Sequence, residues 1–243
     1  MSDPEVIDPA GDGYDRLRRR VLWALPTGLF VVGSRSGDDR NLMTCNWVMQ
    51  VATTPKLVAV AVEAGSVTRG LVERGGSFSV SLLARSDRSL VRRFVKPVRD
   101  VETDGRGVAV RMQGEPVTEV LGGLPVLTAA MAWLACSVRS VTDWGAPVDD
   151  GPGGAGLAIA SHVLVVGEVS AVAATDRLGG SSDEDSVLSM ADTRMNYGGC
   201  PGPIDRSTGG GCQSGAGPPA GRRSTRRTST PSSMVASASP SMA

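Results

Sequence analysis

Apolar residues in this chain fall in short, β-branched runs more often than at helical spacing. Leu29 to Ser34, Leu42 to Val48, Leu57 to Val62 and Phe78 to Leu83 read as strands, parted by Gly, Asp, Asn and Pro. Val108 to Met112, Ala132 to Val141 and His162 to Val172 bring the number of strands to about seven. Helical spacing fits Tyr14 to Leu25, ended by Pro26, and two shorter stretches, Val67 to Glu73 and Asp87 to Phe94, which Ser66 and Ser86 can cap. Several strands are hydrophobic almost throughout, as expected where both faces are covered, and the helices are too few for a doubly wound α/β sheet. The pattern predicts a mainly β fold, a Greek-key-like barrel with a few short helices.

A chain of 243 residues can close one such core. Met1 to Gly13 is polar and reads as a loose N-terminal arm, which leaves 14–199 as the folded domain. From Cys200 the composition turns to Gly, Ser, Thr, Pro and Arg, with too few large apolar residues to offset the entropy of ordering, so 200–243 is expected to be a disordered tail. The tail carries five arginines against Asp205; with a formal net charge of zero overall, the first 199 residues are about −4. A mildly acidic body gives no nucleic-acid groove, and the Arg222 to Arg227 stretch reads as a solvated basic segment. The four cysteines show no CxxC spacing and read as reduced thiols. Acidic residues before Arg18 and the break at Pro26-Thr27-Gly28 argue against a signal peptide, and no run is long enough to span a bilayer. A cytoplasmic protein is expected.

The single histidine, His162, removes most zinc sites and leaves any nucleophile–histidine–acid triad resting on one residue. Gly151 to Gly156 matches GxGxxG, but the motif needs a strand before and a helix after and neither is expected here; Asp149 and Asp150 precede it, a β-branched strand follows it, and it reads as a loop.

The informative stretch runs from Leu25 to Leu83. It holds Pro26-Thr27-Gly28 before a strand, Met43-Thr44-Cys45-Asn46-Trp47, Thr53-Thr54-Pro55, and Ser66-Val67-Thr68 at a helix start. With Arg92 to Pro97, Ser161 to Val169 and Asp192 to Gly199, this ordered series resembles the flavin reductase-like family of FMN-binding split β-barrels, over roughly 175 residues. The resemblance implies an FMN cofactor, with FAD as the alternative, and hydride transfer from NADH or NADPH to the flavin. It also implies a homodimer and, in many relatives, delivery of reduced flavin to a partner monooxygenase. A flavin-binding electron carrier without nicotinamide turnover is the rival reading.

The residues themselves suit that chemistry. Ser66, Val67 and Thr68 lie where a strand gives way to a helix, so hydroxyls and amides there can meet a phosphate, although Ser66 equally suits an N-cap. Thr44, Asn46 and Trp47 can serve the flavin ring or ordinary cross-strand pairing, and Cys45 the ring or core packing. Thr53 and Thr54 suit either the ribityl chain or their turn. His162 stands where the family has a histidine beside the flavin, which implies nicotinamide positioning or proton supply, against a structural role. Tyr197 suits the flavin, a dimer partner or packing. The chain departs from the family at Ser81, where many relatives have Asn, in the long Gly-rich loop from Asp143 to Ala160, and after Gly199.

Overall fold

The computed structural model describes residues 11, 13–149, 155–158 and 161–193, so most of the arm, Tyr197 and the whole 200–243 tail lie outside the described residues. Helix α1 (Tyr14–Trp23) is followed by strands β1 (Phe30–Ser36), β2 (Asp39–Cys45), β3 (Val48–Ala52) and β4 (Leu57–Glu63), helix α2 (Val67–Gly75) and strand β5 (Ser77–Leu82). After 3-10 turns at Arg85–Asp87 and Leu90–Phe94 come β6 (Val101–Thr103), β7 (Ala109–Met112), β8 (Glu115–Val120) and β9 (Leu124–Leu127). Strands β10 (Ala132–Asp143), β11 (Ala146–Asp149), β12 (Ala155–Ala158) and β13 (His162–Ala174) complete the set, with further 3-10 turns at Asp183–Asp185 and Met190–Asp192.

The fold is mainly β. An antiparallel sheet of seven strands runs β2-β1-β5-β10-β13-β4-β3, and four more form the sheet β6-β7-β8-β9. The larger sheet is not closed, because β2 and β3 are its two edges although only Asn46 and Trp47 separate them in the chain.

Strand β1 shows why these runs lack a polar face. Val31 packs with Leu29, Leu42, Leu83, Phe94 and Leu127, whereas its neighbour Val32 packs with Val60, Phe78, Val80, Cys136 and Val165. Successive side chains of a strand point to opposite faces, and here both faces meet a core. Gly33 lets the second sheet approach: a Cβ there would lie 2.1 Å from the Pro125 carbonyl oxygen and 2.3 Å from Ser79 Oγ. The same contact is fixed by hydrogen bonds from Ser79 Oγ to Pro125 O and from the Leu127 amide to Ser81 Oγ.

An ionic cluster joins the sheets as well. Glu119 of β8 accepts from Arg35 at 2.9 Å and from Arg40 at 2.5 Å, and it also accepts the Ala109 amide. The last described segment is sewn to the core. Leu188, fully buried, accepts from the Leu29 amide and donates to Leu83 O, while Arg85 pairs with Asp192.

Several sequence expectations need correction. The predicted strand Leu42 to Val48 is broken after Cys45, because the backbone there leaves β1 and is captured by β4 through the Ala61 amide and Trp47 O. The predicted helix Asp87 to Phe94 is a pair of 3-10 turns, in which Val91 and Phe94 are buried at the three-residue spacing of that helix. More strands form than the expected seven: β6 is wholly exposed, β8 mixes polar with apolar residues, and β9 follows two glycines and contains Pro125. The GxGxxG stretch follows a strand, β11, but leads into β12 of the same hairpin and opens no helix.

Candidate functional site

Asn46 and Trp47 sit where the chain crosses from one edge of the large sheet to the other. Trp47 O accepts from the Ala61 amide at 3.0 Å, which tethers the residue to β4 while its side chain stays 48% exposed. β4 continues to Glu63, whose carbonyl accepts from the Ser66 amide, and α2 begins at Val67. On the other side, β13 pairs with β4 so that His162 lies opposite Glu63, and the Ala64 amide donates to Ser161 O at 2.9 Å. Asn46, Trp47, Ser66, Val67 and His162 are thus brought to the C-terminal end of β4. The rings of Trp47 and His162 meet edge to face, with centroids 4.8 Å apart and planes at 65°.

Ser66 is the N-cap of α2, its Oγ accepting from the Arg69 amide at 3.2 Å. The amides of Val67 and Thr68 come too early in the helix to have acceptors inside it, and the helix dipole adds a partial positive charge. Arg69 follows in the same turn, bonded to Glu73, paired with Asp143 of β10 and donating to Ala64 O. Its pKa is raised, first by the bond to Glu73, so it stays a cation beside the helix start.

Other predicted residues are neighbours whose side chains are used inward. Thr44 is buried and donates to Val91 O at 2.5 Å. Thr68 is fully buried and accepts from Asn41 Nδ2 at 2.9 Å, so its backbone rather than its hydroxyl is available at the helix start. Cys45 is buried, and burial pushes its thiol up to about 12 against a smaller lowering by the Trp47 backbone, which leaves it protonated and unreactive at neutral pH. Asn46 is half-buried, and its side chain has no hydrogen-bond partner among the described residues. Thr53 and Thr54 are exposed in the β3–β4 turn, at the opposite end of β4 from His162, so within one chain they do not join the group.

Sequence reasoning missed Asn41, Arg69 and Ser161. Asn41 accepts from the Val98 amide as well as donating to Thr68, joining the start of α2 to the segment after Phe94. Ser161 Oγ lies 3.0 Å from His162 Nδ1, and its position beside the single histidine was the available signal. An open concavity of about 470 Å³ lies elsewhere, lined by Met131 and 179–183, and contains none of these groups; its acidic lining suits no flavin phosphate. Among the described residues no cluster of His, Cys, Asp and Glu could hold a metal ion.

A helix start with free first-turn amides, an exposed indole and an imidazole lie together at one end of an open β-sheet. Residues 22–197 match the flavin reductase like domain, and the chain belongs to that family. Among its relatives, the NADH-dependent flavin reductase StyB of Pseudomonas fluorescens is 31% identical over 123 residues, 50% of this chain and 65% of that protein. The putative diflavin flavoprotein A 2 of Synechocystis is 28% identical over 138 residues, 55% of this chain and 22% of the other. The chain therefore spans less than two-thirds of the length of either relative. The solved NADH:FAD oxidoreductase SgcE6 of Streptomyces globisporus C-1027 shares the fold at 24% identity and a TM-score of 0.51, covering 72% of this chain and 89% of its own. No helix among the described residues is long and apolar enough to cross a membrane.

Proposed function

We propose that the chain is an NAD(P)H-dependent flavin reductase that holds FMN at the C-terminal end of β4. The observation that carries this reading is the convergence of the α2 start, the Asn46-Trp47 crossing and His162 on one strand end in a flavin reductase-like chain. The residues fit the group. Amides of Val67 and Thr68 with the Arg69 cation suit a phosphate, and Asn46 offers an uncommitted amide side chain to the polar edge of a ring. Bound flavin supplies a hydride acceptor, its N5, for the dihydronicotinamide C4–H.

The chain's own residues bind and orient. Trp47 offers an aromatic surface to a ring system and shields one side of His162, whose imidazole can hydrogen-bond the nicotinamide carboxamide or hold a proton near the reduced flavin. Cys45 and Thr44 keep the strand behind the site rigid and dry, since both side chains bond to carbonyls in the core. The name of StyB, a relative at 31% identity, supports NADH as the hydride donor. In this reading 14–199 forms the catalytic domain of a cytoplasmic homodimer that passes reduced flavin to a monooxygenase. Exposed Met49 and Val51 alternate along the edge strand β3, just after exposed Trp47, and support pairing with a second copy.

Purified protein mixed with FMN and NADH or NADPH under air should consume the nicotinamide, read by its absorbance. FMN, FAD and riboflavin titrations set the flavin choice; no flavin binding in any of them overturns the reading. The similarity to diflavin flavoproteins and to the high molecular weight rubredoxin of Moorella thermoacetica favours a second reading, a flavin-binding electron carrier. Flavin binding without nicotinamide oxidation would select it.

A further inference from the structure

His162 is constrained more closely than a strand position requires. Its backbone is in register with Glu63 of β4, and the preceding residue is pinned by the hydrogen bond from the Ala64 amide to Ser161 O. Its ring is met on one side by Trp47 at 4.8 Å, itself tethered through Trp47 O to the Ala61 amide. Its Nδ1 lies 3.0 Å from Ser161 Oγ. Nε2 is then the ring nitrogen without a protein partner among the described residues.

In a neutral imidazole one nitrogen donates and the other accepts, and the partner of one decides the role of the other. Ser161 Oγ has no other acceptor than Nδ1 among the described residues. We infer that Ser161 is a positioning residue: its hydroxyl donates to Nδ1 of His162 and so keeps the imidazole proton on Nε2. The site then presents an N–H donor to a carbonyl or anionic oxygen of its ligand. Resting on the flavin reductase reading, the ligand class is the carboxamide of a nicotinamide nucleotide. The charged side chain nearest this arrangement along the backbone register is Glu63, a hydrogen-bond acceptor that cannot replace the serine hydroxyl as donor to Nδ1.

His162 is the only histidine in the chain, so ¹⁵N-histidine labelling reports its tautomer without assignment. The expected spectrum of the full-length protein at alkaline pH shows the Nε2–H form in excess. Ser161→Ala should shift it toward a mixture and raise KM for NADH by roughly tenfold, the size of one lost hydrogen bond, with kcat and FMN affinity changed little. Ser161→Thr, which keeps the hydroxyl, should restore both. A tautomer ratio unchanged in Ser161→Ala overturns the inference, as does a KM rise without a change of tautomer. If the wild-type protein binds FMN yet never oxidises NADH, the enzyme reading fails, while the tautomer comparison still decides whether Ser161 sets the proton.

Discussion

Trp47 and His162 meet edge to face at 4.8 Å although they come from the crossing between two edge strands and from the first position of β13. Edge-to-face pairs contribute about 0.5–1.5 kcal/mol beyond burial. Trp47→Ala should therefore weaken flavin or nicotinamide binding by roughly threefold to tenfold, read by fluorescence titration, and Trp47→Phe should recover most of it. Equal affinities in all three proteins would remove Trp47 from the site.

The start of α2 makes a different demand. Ser66 caps the helix through the Arg69 amide, so Ser66→Ala should cost about 1 kcal/mol of stability in urea unfolding. It should also weaken FMN more than riboflavin, because only FMN carries a phosphate for the first-turn amides. Thr68→Ala should behave differently: it leaves Asn41 Nδ2 buried without its acceptor, and its loss is expected in stability at about 1–3 kcal/mol. Equal loss of FMN and riboflavin in Ser66→Ala would refute the phosphate assignment.

Part of this arrangement is legible in the sequence itself. The run Leu57 to Val62 and the Ser66 cap were legible because strand and cap signals are local. The break after Cys45 was not, since Leu42 to Val48 contains no glycine or proline and only the distant β4 pulls the chain away. Thr44 and Thr68 were legible as polar residues in the right segments, but their partners Val91 and Asn41 lie far along the chain, so whether a hydroxyl faces ligand or core could not be read locally. The Ser161–His162 contact was adjacent in sequence, yet its meaning depends on Trp47 occupying the other side of the ring.

Gly33 should tolerate no side chain. Its absent Cβ leaves room for Pro125 O, a backbone atom that cannot swing aside. Gly33→Ala should lose about 1–3 kcal/mol or fail to fold, whereas Gly65→Ala, with nothing near its Cβ, should fold normally. Thermal unfolding of the two variants makes the comparison.

Glu119 is the shared anion of Arg35 and Arg40, and the Arg40 side chain is 4% exposed against 8% for Glu119. Glu119→Ala would leave the Arg40 guanidinium buried without its carboxylate, a loss on the order of 3–5 kcal/mol. Arg35, 25% exposed, should matter less: Arg35→Ala leaves the Arg40–Glu119 pair intact. Denaturant midpoints that rank the two variants the other way would show that Arg35 carries the junction between the sheets.

Asp192 gives the fold an acid dependence of known sign. Burial pulls its carboxyl up, but the Ser189 hydroxyl and amide and the Arg85 guanidinium outweigh burial and hold it below the ordinary value of 3.8. A carboxyl with a folded pKa below its unfolded one contributes stability that is fully present above the unfolded value and is lost as pH falls through the folded value. The segment it anchors carries Leu188 into the core, so its release uncovers Leu29 and Leu83. Asp192→Asn should therefore lower the urea midpoint at neutral pH, and its difference from the wild type should begin to shrink as pH falls to about 3.8, the unfolded value, and vanish once pH is below the lower folded value. A difference between the two proteins that stays constant through that acid window would mean that the Asp192 charge contributes nothing to holding the segment.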